Sequence, residues 1–225
     1  MKTLSRKLAV TSVAIAMVAT LTTGCSSFTK TQKGTAIGAG AGGTIGALIG
    51  KRAGNTAIGA IIGGAIGGTA GAFIGRKMDR QAAEIKQTVP GADVVREGEG
   101  LIVKFDSGIL FDVNKTALKP AATTNLQNLA ASMEKNPDTN ISIIGYTDNT
   151  GSATYNQDLS VRRAEAVKSS IVANGVSGSR LTTQGKGETD PIADNTTDAG
   201  RAQNRRVEIV IVANDKMKAD AQSAQ

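Results

Sequence analysis

The stretch GYTDNTGSATYNQDLSVRRAEAV, residues 145–167, decides the fold. It is preceded by the β-rich run at 141–146, opens with the turn-prone T-D-N-T-G, and passes at Ser152, a good helix N-cap, into a segment of helical period. The helix is expected from about residue 153 to 174, with Gly175 as its stop. Within it Leu159, Arg163, Val167 and Ile171 recur every four residues, so a guanidinium lies in line with an apolar stripe. A buried cation needs an anion, because an unpaired one is costly to desolvate. The anion is the carboxylate of Asp148, a ligand carboxylate, or a zwitterion gripped by Asp148 and Arg163 together.

Outward from this segment, 101–105, 181–184 and 207–212 read as further strands. A helical pattern of Ala122, Leu126, Leu129 and Met133 starts near Pro120 and ends at Asn136-Pro137. Strands alternating with helices argue an α/β sandwich with two helices on one sheet face. In the last strand Val207, Ile209 and Ile211 face one layer while Glu208 opens the other side. Arg162 and Arg206 read as solvated or structural, and Asn204 as ordering the loop before that strand. Residues 76–94 read as a linker and 214–225 as a frayed polar tail.

The same residues carry a family resemblance. Y-T-D-N-T-G at 146–151, Y-N at 155–156, L-S-x-x-R-A-x-x-V at 159–167 and N-R-R-V-E-I at 204–209 resemble the OmpA-like C-terminal domain. F-D at 111–112, L-K-P at 118–120 and P-I-A-D-N at 191–195 agree, so the resemblance covers about residues 95–213. OmpA, the peptidoglycan-associated lipoprotein and flagellar stator subunits share this module. The resemblance implies a βαβαββ fold with a mixed sheet, and non-covalent binding of peptidoglycan through the diamino acid of its stem peptide, meso-diaminopimelate or a relative. That residue offers a free ammonium and a free carboxylate on one carbon. By resemblance Asp148 takes the ammonium and Arg163 the carboxylate, with Asn114, Thr150, Asn156 and Arg205 as further stem-peptide contacts. Tyr146 has no assigned role.

Composition narrows the chemistry. The chain has no histidine and one cysteine, Cys25, which removes Ser-His-Asp and Cys-His catalysis, the common zinc sites and any internal disulfide. No metal or cofactor is expected. Basic residues outnumber acids three to none in residues 1–25 and eight to two in 26–90, but fifteen face seventeen in 91–225. The excess charge therefore sits ahead of the expected domain. With no Trp, two Tyr and four Phe besides, nucleic acid is not an expected partner.

Residues 1–24 have the layout of a secretory signal: a basic start, an uncharged apolar run at 8–21, then T-T-G before Cys25. The sole cysteine at that point is similar to the bacterial lipobox, although Leu21 and Thr22 shift the usual leucine by one position. The resemblance implies a lipidated Cys25 anchored by acyl chains such as palmitate, a short spacer over 25–33, and, with Ser26 next, sorting to the outer membrane with the C-terminal domain in the periplasm.

Between anchor and domain, glycine recurs at 34, 38, 42, 46, 50 and 54 and again at 59, 63, 67, 71 and 75, and T-A-I-G-A at 35–39 returns at 56–60. The segment 34–75 reads as a helical hairpin turning near Gly54-Asn55. A glycine every fourth residue lets backbones approach closely, whereas in water each costs about 0.8–1 kcal/mol of helix stability relative to alanine. Helix there needs a bilayer or a tight partner. The segment resembles the glycine zippers of small outer-membrane lipoproteins, including YiaD-type members of the OmpA family, and self-association is expected of it. Its alternative is a flexible tether.

Three function classes follow. The leading one is a non-enzymatic anchor between membrane and cell wall. A membrane-active or assembly protein working through the zipper is the second. The third is a murein hydrolase using two of Asp106, Asp112 and Asp148.

Overall fold

The computed structural model describes residues 68–112 and 114–224. The expected signal segment 1–24, Cys25 with its spacer, and the glycine ladder up to residue 67 lie outside the described residues.

Helix α1 (Gly68–Thr88) leads through a turn to a hairpin of β1 (Asp93–Glu97) and β2 (Gly100–Asp106). A short helix α2 (Ser107–Leu110), helix α3 (Pro120–Lys135), β3 (Thr139–Gly145) and helix α4 (Ala153–Ala173) follow. A 3-10 turn (Gly178–Arg180), β4 (Leu181–Gly185), α5 (Asp198–Asn204), β5 (Arg206–Ala213) and α6 (Asp215–Ser223) complete the chain. From β2 onward the large elements run βαβαββ, as expected, with β1 added in front.

The sheet order is β1-β2-β5-β3-β4; only β3 and β4 pair in parallel. Leu101, Val103 and Phe105 of β2, Ile141 and Ile143 of β3, and Val207, Ile209 and Ile211 of β5 share one core cluster with the helices. α3 contributes Ala122, Leu126, Leu129 and Met133, and α4 contributes Val167 and Ile171. The caps are those the sequence signalled: Ser152 Oγ accepts from the N–H of Tyr155, and Gly175 has φ +102°.

α4 sits very close to the sheet. Gly145 of β3 and Gly185 of β4 are register partners, and a Cβ on either would press into Ser160 or Val161 of α4. Ser160 is fully buried between them, its hydroxyl donating to Gln157 O and accepting from Gly187 N–H.

Two expectations are corrected. Residues 76–94 are not a linker: they are the rest of α1, a turn and the start of β1. Ala70, Ile74, Met78, Ala82 and Ile85 make a stripe in the main core, and Glu84 pairs with Lys135 of α3 at 2.6 Å. The glycine ladder hid this stripe, because it begins inside the ladder and runs past its end.

Nor is 214–225 a frayed tail. Asn214 caps α6 by accepting from Met217 N–H, Lys216 bridges Asp138 and Asp220, and Met217 and Ala221 are buried in the same core as α1. One methionine and two alanines in a charged nonapeptide give too weak a period to read. α1 and α6 thus join α3 and α4 around that core, where two helices were expected.

Of the two readings of Arg206, solvated or structural, the second holds: it is 2% exposed, pairing with Glu208 at 2.7 Å, with its guanidinium 3.7 Å from the ring centroid of Tyr146. It also donates to Asn204 O and Asp190 O. Glu208 does face away from the main core, but it is buried there, near a second cluster of Ile102, Ile144, Tyr146 and Val210. This is the role of Tyr146. Charge alternation along β5 gives no hint that its second face is covered.

Candidate functional site

The β3–α4 loop is pinned before it reaches Asp148. Tyr146 N–H donates to Arg206 O, Thr147 N–H to Gly187 O, and Thr147 Oγ1 to Asp148 O. The Asp148 carboxylate, 7% exposed, accepts the Thr150 backbone N–H at 2.9 Å on Oδ1 and Arg205 Nη1 at 2.6 Å on Oδ2. Burial alone would raise its pKa. The hydrogen bonds from Arg205 and Thr150 and the charge of Arg205 outweigh that, so the pKa ends below the ordinary 3.8.

A depressed carboxylate pKa contributes stability that is present above the unfolded value and is lost as pH falls through the folded one. The wild type is therefore expected to melt above Asp148→Asn at neutral pH and to lose that margin only in acid, below the ordinary carboxylate range. Melting curves of both proteins across pH check this. A margin that disappears near neutrality would contradict it.

Arg163 is 4% exposed on the stripe of α4, among Leu159, Val167 and Ile171, all buried. Its Nε donates to Lys115 O at 3.1 Å, and its guanidinium carbon stands 5.2 Å from the Phe111 ring centroid. The turn that presents Lys115 O contains Asn114 at φ +54° and closes with Lys115 N–H on Asp112 O. Asp148 does not pair with Arg163; its partner is Arg205. Among the described residues no carboxylate lies within 4.0 Å of Arg163, and neither terminal nitrogen has a hydrogen-bond partner. Burial pulls the Arg163 pKa below its ordinary value, Arg205 adds to that, and Tyr155 and Asp148 oppose it. Burial thus disfavours the charged form, and an anion on the fork would favour it.

Asp148, Arg163, Asn114, Thr150, Asn156 and Arg205 all border one cavity of about 600 Å³. Asn156, 2% exposed, also donates to Glu188 at 2.8 Å and so ties α4 to the loop after β4. Asn204 does what the sequence suggested: its Oδ1 accepts from Ile192 and Ala193 N–H, and its Nδ2 donates to Ala193 O and Asn195 Oδ1. That fixes the loop before α5, which delivers Arg205.

Among the cavity residues that the sequence reading gave no role in binding are Phe111 and Tyr155. Tyr155 was legible as the first member of the 155, 159, 163 series on α4. Phe111 was not, since only the folded chain lays its ring on Arg163. Among the described residues no group of acidic or sulfur side chains is arranged to hold a metal.

The arrangement can receive an acceptor with two oxygens on Arg163 and, beside it, a donor on Asp148 in exchange for Arg205. With one carboxylate and two guanidiniums, the three charged groups sum to one positive charge.

Known proteins share parts of this chain's sequence and fold. Residues 110–205 match the OmpA family and residues 1–79 the YMGG-like Gly-zipper family. The chain is 40% identical to the probable lipoprotein YiaD of Escherichia coli over 181 residues, 78% of this chain and 83% of that protein. It is 46% identical over 103 residues to the peptidoglycan-binding protein ArfA of Mycobacterium tuberculosis, 46% of this chain and 32% of that one. In structure it is similar to the cell wall anchor of the T6SS from Pseudomonas aeruginosa, with a TM-score of 0.53 and 27% identity over 61% of this chain and 97% of that one. On the match to YiaD, which runs through zipper and domain alike, the chain belongs to the OmpA family.

Proposed function

We propose that this chain binds peptidoglycan non-covalently through the free ammonium and carboxylate of the stem-peptide diamino acid, meso-diaminopimelate, and so tethers a membrane to the cell wall. The observation that carries this reading is the Arg163 fork, whose two terminal nitrogens lack partners among the described residues and border a cavity that Asp148 also lines. A bidentate carboxylate satisfies such a fork better than any single acceptor. The ligand ammonium replaces Arg205 on Asp148, and the released Arg205 can turn to the rest of the stem peptide.

The anchor is the acylated Cys25 in the outer membrane, with the OmpA domain in the periplasm. The similarity to a probable lipoprotein and the Gly-zipper match support this half. Self-association through the glycine ladder belongs to the same proposal.

Binding without cleavage fits the state of Asp148. A carboxylate held ionised by Arg205 and Thr150 is poorly suited to protonate a glycosidic leaving group. The test is co-sedimentation of the full chain with purified sacculi. The wild type is expected in the pellet and Asp148→Ala in the supernatant, with no soluble muropeptides released. An Asp148→Ala variant that still pellets would overturn the site, and muropeptide release would overturn the non-enzymatic reading.

A further inference from the structure

Tyr155, Leu159 and Arg163 stand four residues apart on α4, and all three border the cavity. Side chains on a helix lean toward its N-terminus, so the Arg163 guanidinium reaches back along this stripe toward Tyr155. Burial lowers the Arg163 pKa, and Tyr155, on the same cavity, is the strongest influence opposing it. Yet Tyr155 is 42% exposed, more than any other large apolar side chain among the described residues, and its hydroxyl makes no hydrogen bond there. An aromatic ring half in water and a free hydroxyl are hard to explain by packing. The fold asks something else of this residue: its backbone N–H completes the Ser152 cap.

We propose that Tyr155 is a ligand-contacting residue: its hydroxyl donates a further hydrogen bond to the carboxylate held by Arg163, and its ring covers the aliphatic chain of the diamino acid at the cavity mouth. This rests on the reading of the site as a receptor for a carboxylate and an ammonium on one carbon. The two parts of the side chain then have separable effects. Loss of the hydroxyl removes a charge-assisted bond, and loss of the ring also uncovers the methylenes.

The experiment titrates the full-length wild type, Tyr155→Phe, Tyr155→Ala and Arg163→Met with the tetrapeptide L-Ala-γ-D-Glu-meso-diaminopimelyl-D-Ala. Thermal melts show that each variant is folded, which is expected because the cap uses only the backbone of residue 155. Tyr155→Phe is expected to weaken binding by at least about tenfold, the lower end for one hydrogen bond to a charged group, and Tyr155→Ala to weaken it further. If both Tyr155 variants bind like the wild type while Arg163→Met does not, the assignment of Tyr155 is wrong and the site stands. Failure of the wild type to bind overturns both.

Discussion

Replacing Arg163 by Met is expected to abolish binding to sacculi while leaving the melting temperature unchanged or higher. The two effects part because Arg163 is buried with no carboxylate within 4.0 Å among the described residues. A hydrophobic residue of similar volume in place of a poorly paired buried charge is often neutral or stabilising by about 1–4 kcal/mol. Against that stand the hydrogen bond to Lys115 O and the contact with Phe111, together about 2–4 kcal/mol. Lys115 is exposed, so water can satisfy its carbonyl, and the balance falls near zero. Binding loses the charged fork, which at a desolvated pair costs about 2–5 kcal/mol, or some thirtyfold to several thousandfold. Had Arg163 been one half of an internal ion pair, its removal would strand the other half and cost about 3–5 kcal/mol of stability. Thermal melting and sedimentation of the same preparation separate the cases. A large drop in melting temperature, or retained binding, contradicts the account.

Gly145→Ala should do the opposite, damaging the fold first and binding as a consequence. The new Cβ would lie 2.2 Å from Ser160 O and 3.0 Å from Ser160 C, both backbone atoms that no rotamer change can move. α4 would have to lift from the sheet, against its contacts through Val167 and Ile171. Overpacking of this kind costs about 3 kcal/mol or more. Because α4 carries Arg163, the displacement also moves the fork away from Asp148, which stays with β3. Gly178→Ala is the control, since its Cβ meets only Val172 Cγ2 at 3.8 Å and the change should stay within about 0.5 kcal/mol. Denaturant titration of the three proteins measures this. Equal midpoints for Gly145→Ala and the wild type would remove the close-approach argument.

The central fold was legible because its signals are local. Ser152, Gly175, Pro120 and the four-residue stripes of α3 and α4 each report on a few neighbours, and the structure places those elements within a residue or two of the expectation. The grouping of the six proposed contacts was legible for another reason: they lie in ordered motifs, and the structure brings all six to one cavity. What was not legible depends on residues far apart in sequence. Whether Arg163 pairs with Asp148 could not be read from a stripe, because the answer depends on Arg205, fifty-seven positions beyond Asp148. The docking of α1 and α6 was hidden in a glycine ladder and a charged nonapeptide. The burial of Arg206 with Glu208 depends on Tyr146, which reaches it from the loop just after β3.

Calorimetric titration of the full chain with two stem tetrapeptides, identical except for meso-diaminopimelate or L-lysine at the third position, tests the central claim most directly. Within the peptide both diamino acids present a side-chain ammonium to Asp148, but only meso-diaminopimelate has the carboxylate on the same carbon for Arg163. The account predicts one binding event per chain for the diaminopimelate peptide, and at least thirtyfold weaker binding of the lysine peptide, the lower bound of a lost charged pair. Equal affinity for the two peptides would contradict it.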